Sequence, residues 1–226
     1  MTSEKYLQLK AELATYTTAA QIELVVVSKS QPAEKIKVLY DAGQRVLAEN
    51  RVQALLEKKE ALEALGCENL QWHIIGQLQR NKVKYIAPFI QLIHSVDSLE
   101  LLQEINKQAG KNNRIIDCLL QFHVAQETTK SGLIWQEAIA LLQNEAYSNL
   151  QNVRIVGIMG MATFTEDESQ ILSEFETLAQ YFEQLKKEFF ANQPHFKIKS
   201  MGMSSDYALA LQKGANMLRI GSMLFN

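Results

Sequence analysis

Apolar positions along the chain alternate between two periods. Short runs rich in β-branched and other apolar residues recur at Glu23–Ser28, Arg45–Glu49, Gln71–Gly76, Gln91–Val96, Arg114–Val124, Val153–Met159, Phe196–Met201 and Asn216–Gly221, and they predict eight strands. Between them the apolar residues fall at helical spacing. Ala33–Ala42 places Ile36, Leu39 and Tyr40 on one face, and Val52–Leu65 does so with Leu55, Leu62 and Leu65. Leu99–Ala109 follows Asp97-Ser98, a polar pair suited to capping a helix. Ile134–Ala146 carries Ala138, Leu141 and Leu142, and the long segment Glu168–Phe190 carries Ile171, Phe175, Leu178, Phe182 and Leu185. One more helical pattern, Ser3–Tyr16, precedes the first strand.

Strands alternating with helices imply right-handed βαβ units and a parallel sheet. Eight such units predict an α/β fold, a (β/α)8 TIM-type barrel with an extra N-terminal helix. An open doubly wound sheet is the rival, and it more often opens on a glycine-rich loop. Here the first strand runs into Ser28-Lys29-Ser30-Gln31-Pro32, without glycine. With only 3 prolines, 10 glycines and no linker-like stretch, residues 1–226 read as a single barrel domain.

Composition narrows the function classes. A net charge of −2 with scattered Lys and Arg gives no footprint for nucleic acid or an anionic membrane. Cys67 and Cys118 form neither a metal spacing nor a disulfide framework, which suits a reducing, cytoplasmic setting. No run is long and apolar enough to span a membrane, and the polar start from Met1 to Lys10 has no apolar signal core.

In a barrel of this kind, chemistry gathers at the C-terminal ends of the strands. The residues there are Lys29, Glu49-Asn50, Gly76-Gln77, Ser95 with Asp97, Gln126 with Thr129 and Lys130, Met159-Gly160-Met161, Gly202-Met203-Ser204 and Gly221-Ser222. Lys29 shares the parity of Val25 and Val27, so an inward face would aim its amine into the barrel mouth. Position alone leaves two readings open: a solvated loop lysine, or an amine that forms a Schiff base with an aldehyde. The loops after strands 7 and 8 carry Ser200-Met201-Gly202-Met203-Ser204-Ser205-Asp206, with a helix expected to begin near Ser204, and Arg219-Ile220-Gly221-Ser222. Glycines and hydroxyls at these two strands favour a phosphate site. His73, His94 and His123 fall within successive strands and read as core or outer-layer residues; no metal site is expected. Met159, Met161, Met201 and Met203 read as fillers of the core near the strand ends.

Taken in order, Val27-Ser28-Lys29-Ser30, Glu49-Asn50-Arg51-Val52-Gln53, Trp72-His73-Ile74-Ile75-Gly76-Gln77-Leu78-Gln79, Ile93-His94-Ser95-Val96-Asp97, Lys130-Ser131-Gly132, Gly157-Ile158-Met159-Gly160-Met161, Ser200-Met201-Gly202-Met203-Ser204 and Arg219-Ile220-Gly221-Ser222 resemble the pyridoxal phosphate homeostasis proteins. The series spans the chain from about residue 25 to the C-terminus. The resemblance implies a barrel related to the N-terminal domain of alanine racemase, with pyridoxal 5′-phosphate (PLP) as cofactor. It implies Lys29 as the PLP lysine and Ser204, Gly221 and Ser222 as the phosphate cup. Arg219 would face the pyridine nitrogen, Asn50 and Met203 would line the pocket, and Lys130 would be a second lysine that receives or hands on PLP. Ala48 stands where the family usually has glycine, and Ser222 where it often has threonine.

The resemblance further implies a cytoplasmic, monomeric PLP carrier without catalytic residues, serving PLP balance and PLP-dependent apo-enzymes. The alternative is a PLP-dependent amino-acid racemase-like enzyme. Racemases of this type add a β-rich C-terminal domain that supplies a catalytic tyrosine, whereas this sequence ends at Asn226, soon after the eighth strand. The expectation is therefore binding without turnover.

Overall fold

A computed structural model describes residues 2–16, 22–127 and 131–225. Eight strands form one closed parallel barrel in chain order: β1 Glu23–Val27, β2 Val46–Glu49, β3 Gln71–Ile74, β4 Leu92–Val96, β5 Ile116–Phe122, β6 Val153–Gly160, β7 Ile198–Ser200 and β8 Met217–Ile220. β8 closes the barrel on β1, with Val26 opposite Ile220, and β1 lies beside β2, with Val27 opposite Ala48.

The helices are α1 Thr2–Leu13, α2 Ala33–Asp41, α3 Val52–Ala64, α4 Val83–Ile86, α5 Leu99–Lys111, α6 Trp135–Gln143, α7 Glu145–Ser148, α8 Glu168–Glu188, α9 Tyr207–Gln212 and α10 Ser222–Phe225. The predicted helices all form, except that Ile134–Ala146 breaks at Asn144 into α6 and the start of α7, and α4 and α10 are additions. Ser98 occupies the N-cap of α5, but its hydroxyl donates to Asp97 Oδ1 at 3.3 Å and makes no capping bond.

Strand parity divides the apolar residues into two cores. Val25, Ala48, Leu92, Leu119, Val156, Met159 and Met217 fill the barrel interior. Their neighbours, such as Leu24, Val26, Leu47, Ile93 and Leu120, face out against Ile36, Leu39, Leu55, Ile105 and Phe175 of the helices. Because both faces are covered, the strands read as nearly continuous apolar runs. In β6, Ile155 pairs with Cys118 and Gly157 with Leu119, so Val156 is an extra residue in a bulge; both Val156 and Met159 join the interior cluster. α1 is anchored by buried Tyr6, Leu9 and Leu13, and Tyr6 donates to Gln44 Oε1 at 3.1 Å.

Candidate functional site

The register gathers the residues singled out at the strand ends. Lys29 lies just past β1, Asn50 just past β2, Arg219 within β8 and Gly221-Ser222 just past it, while Ser204 follows β7. These four strands are contiguous around the barrel in the order β7-β8-β1-β2. Val25 is an interior residue, so the inward parity expected for Lys29 holds up to the strand end. Lys29 itself stands exposed in a turn in which Gln31 N–H donates to Ser28 C=O at 3.0 Å and Ser30 has φ 62°.

The loops after β7 and β8 differ from expectation in one respect. The helix after β7 begins at Tyr207, three residues later than Ser204. Gly202 turns the chain with φ +94°, a conformation that disfavours side chains, and Asp206 Oδ1 accepts the Met203 N–H at 2.6 Å. Ser204 is thus free of a capping role. Its Oγ accepts the N–H of Gly221 at 3.3 Å and of Met223 at 3.4 Å, so the donors come from the loop after β8 and the start of α10. A side chain at Gly221 would place its Cβ 2.9 Å from Val27 O and 3.2 Å from Val27 Cβ, so only glycine lets these strand ends pack this closely. Ser222 is exposed and Met203 half-buried beside this loop.

Beneath the mouth runs a buried polar chain. Arg219 Nη1 donates to Ser200 O and Ser200 Oγ, both at 2.7 Å, and Nη2 donates to Gly160 O at 2.9 Å. Ser200 Oγ is 3.1 Å from His94 Nδ1, and His94 Nε2 is 3.1 Å from His73 Nδ1. Burial lowers the Arg219 pKa to about 10, partly opposed by the Asp206 charge, and the guanidinium stays protonated at neutral pH. Burial lowers His73 to about 3. It also drives His94 well down, helped by His73 and the Arg219 cation. Both imidazoles are therefore neutral links in the chain.

Glu49, read from the sequence as a strand-end residue of the mouth, shares the outward parity of Leu47 and is fully buried against Ser28 and Lys58. Lys130 and Thr129 lie outside the described residues. His123 Nε2 lies 2.8 Å from Ala125 O. Among the described residues, no group of His, Cys, Asp and Glu could hold a metal ion. None of their helices is long and apolar enough to cross a membrane. The links from Arg219 to His73 and from Ser28 to Lys58 escaped sequence reasoning. Inward parity of His73 with Ala48 and Leu92 was the one signal available for the first.

Fold and site define the class of barrel found at the N-terminus of alanine racemases, and the family model of that domain matches residues 8–226. The pyridoxal phosphate homeostasis protein of Aquifex aeolicus is 39% identical over 203 residues, covering 90% of this chain and 86% of that protein. PipY of Synechococcus elongatus, solved with PLP bound, superimposes with a TM-score of 0.88 at 32% identity, covering 100% of both chains. Alanine racemase of Clostridium difficile shares the fold, with a TM-score of 0.68 at 17% identity over 97% of this chain and 55% of that one. The chain belongs to the pyridoxal phosphate homeostasis protein family.

Proposed function

We propose that this protein binds pyridoxal 5′-phosphate at the barrel mouth and serves PLP homeostasis as a carrier, holding the cofactor as a Schiff base on Lys29. The observation that carries this is the convergence, on four contiguous strand ends, of an exposed amine, a donor-rich loop and a buried guanidinium. The donor set suits the group. Two N–H bonds meet at Ser204 Oγ at 3.3 and 3.4 Å, long distances for a neutral acceptor and an arrangement a phosphate oxygen would tighten. Ser204, Gly221 and Ser222 form the phosphate cup, and Asn50 and Met203 line the pocket.

Bound PLP supplies an aldehyde with which a neutral lysine amine condenses, releasing water. Lys29 provides that amine from a turn open to solvent. Arg219 would face the ring nitrogen, and its guanidinium, protonated at neutral pH, would present a cation there. It thereby disfavours protonation of the ring and weakens the cofactor as an electron sink. Exposure of Lys29 favours exchange with water and small amines over controlled proton transfer. Lys130 serves as the secondary site, and the expected acceptors are PLP-dependent apo-enzymes in the cytoplasm, met by a monomeric carrier.

The test is to incubate PLP-loaded protein with a panel of L- and D-amino acids and follow racemisation, transamination and decarboxylation. The expected result is negligible turnover. Turnover of roughly 1 per second or faster, lost in Lys29→Ala, would replace the carrier with a racemase-like enzyme.

A further inference from the structure

On the outer side of the Lys29 turn lies a buried charged pair that the proposed cofactor pocket does not touch. Glu49 is completely buried at the end of β2, and the Lys58 side chain, reaching in from α3, is 13% exposed. Lys58 Nζ donates to both Glu49 Oε1 and the Ser28 carbonyl oxygen. Ser28 Oγ donates to the same Glu49 oxygen at 2.7 Å, and the Ser28 N–H donates to Ala48 O at 3.0 Å. The Ser28 carbonyl also accepts the Gln31 N–H at 3.0 Å. Among the described residues, Glu49 Oε2 has no hydrogen-bond partner.

A buried ion pair with an unsatisfied oxygen is a weak source of stability, since a well-packed apolar pair would hold α3 on β2 at least as well. What the pair does supply is geometry. The Ser28 C=O and the Lys29 N–H belong to one rigid peptide plane. Lys58 and the Gln31 N–H grip that plane at its oxygen, while Glu49 holds the Ser28 side chain that precedes it. Holding the plane fixes the Lys29 Cα, and the turn that the Gln31 N–H closes on the same oxygen restrains Lys29 φ and ψ, so the side chain leaves in a set direction.

We infer that Glu49 and Lys58 are positioning residues for Lys29, pre-orienting its amine for the cofactor aldehyde by clamping the Ser28 peptide. The inference rests on Lys29 being the cofactor lysine. Pre-orientation raises the covalent share of bound cofactor and its retention, because less ordering remains to be done on binding.

The test is a mutant cycle against Lys29→Ala. The double variant Glu49→Gln with Lys58→Met removes both buried charges, so no lone charge is stranded. PLP affinity is measured by titration, and the covalent fraction by the visible absorption of the lysine-bound cofactor. In the Lys29 background the double variant should weaken PLP binding about tenfold, as expected for losing a charge-assisted hydrogen bond, and lower the covalent fraction. In the Lys29→Ala background it should change PLP affinity little, because the residue it positions is gone. Lys58→Arg, which keeps the cation and its donors, should restore the covalent fraction. Equal losses in both backgrounds would assign the pair to general packing, and no loss in either would remove it from the site; each outcome overturns the inference. If the double variant fails to fold, Ser28→Ala decides, with a loss of about threefold expected only in the Lys29 background. Survival of the lysine-bound absorption in Lys29→Ala alone would instead overturn the assignment of Lys29, and the inference with it.

Discussion

Replacing Gly221 by alanine probes the proposed phosphate cup with one methyl group. The added Cβ would meet Val27 O at 2.9 Å and Val27 Cβ at 3.2 Å, and the first contact is with backbone, so the loop after β8 has to shift. Its N–H, now aimed at Ser204 Oγ at 3.3 Å, then turns away from the point it shares with the Met223 N–H. One hydrogen bond to a charged group is worth about 1.5–3 kcal/mol, which corresponds to roughly 10- to 150-fold in Kd. Overpacking costs folding about 1–3 kcal/mol, at the low end here because the position is half-buried on the rim. Parallel titrations with PLP and with pyridoxal, which has the same ring and aldehyde but no phosphate, separate phosphate contacts from the rest of the pocket. PLP affinity should fall at least about tenfold and pyridoxal affinity by less than about threefold. A folded variant that binds PLP as tightly as the parent, or that loses both ligands by the same factor, refutes the phosphate assignment.

Three further outcomes follow from the core. His73 and His94 are neutral when folded, with His73 lowered to about 3 from 6.5, so the unfolded chain binds more protons at acidic pH. Stability of the cofactor-free protein should therefore hold above about pH 6.5 and fall below it, approaching about 1.4 kcal/mol per pH unit for each histidine; urea unfolding at pH 7 and pH 5 measures this, and His73→Gln should reduce the slope. Burial raises the pKa of both Cys67 and Cys118, so a thiol reagent should label neither until the protein unfolds; fast labelling of native protein would contradict the packing. Phe196 stacks between Phe182 and Phe190 with ring centroids 4.9 and 4.2 Å apart, so Phe196→Ala should cost about 3–5 kcal/mol in denaturant unfolding.

The barrel was legible because parallel strands buried on both faces leave unbroken apolar runs, with helical spacing between them. Ends were less so: Arg114–Val124 contracts to Ile116–Phe122, since flanking residues carry the same pattern without the ladder. The helices Val83–Ile86, Glu145–Ser148 and Ser222–Phe225 are too short to show a period. Lys29, Gly221 and Ser204 could be placed at strand ends from sequence, but not the donor geometry. The start of α9 is displaced by the turn at Gly202 and by Asp206 bonding the Met203 N–H. Glu49 was drawn to the mouth by its neighbour Asn50, yet strand alternation puts the two on opposite sides, and its partner Lys58 lies a helix turn beyond any local motif. His73 and His94 are 21 residues apart and meet only because adjacent strands bring them together.

The most direct measurement is chemical reduction of the PLP-loaded protein with borohydride, followed by peptide mapping of the phosphopyridoxyl label. One dominant label is expected, on Lys29, and it should disappear in Lys29→Ala while folding and phosphate-dependent PLP binding persist. A dominant label on Lys58, Lys130 or any other lysine, or an unchanged level of labelling in Lys29→Ala, would contradict it.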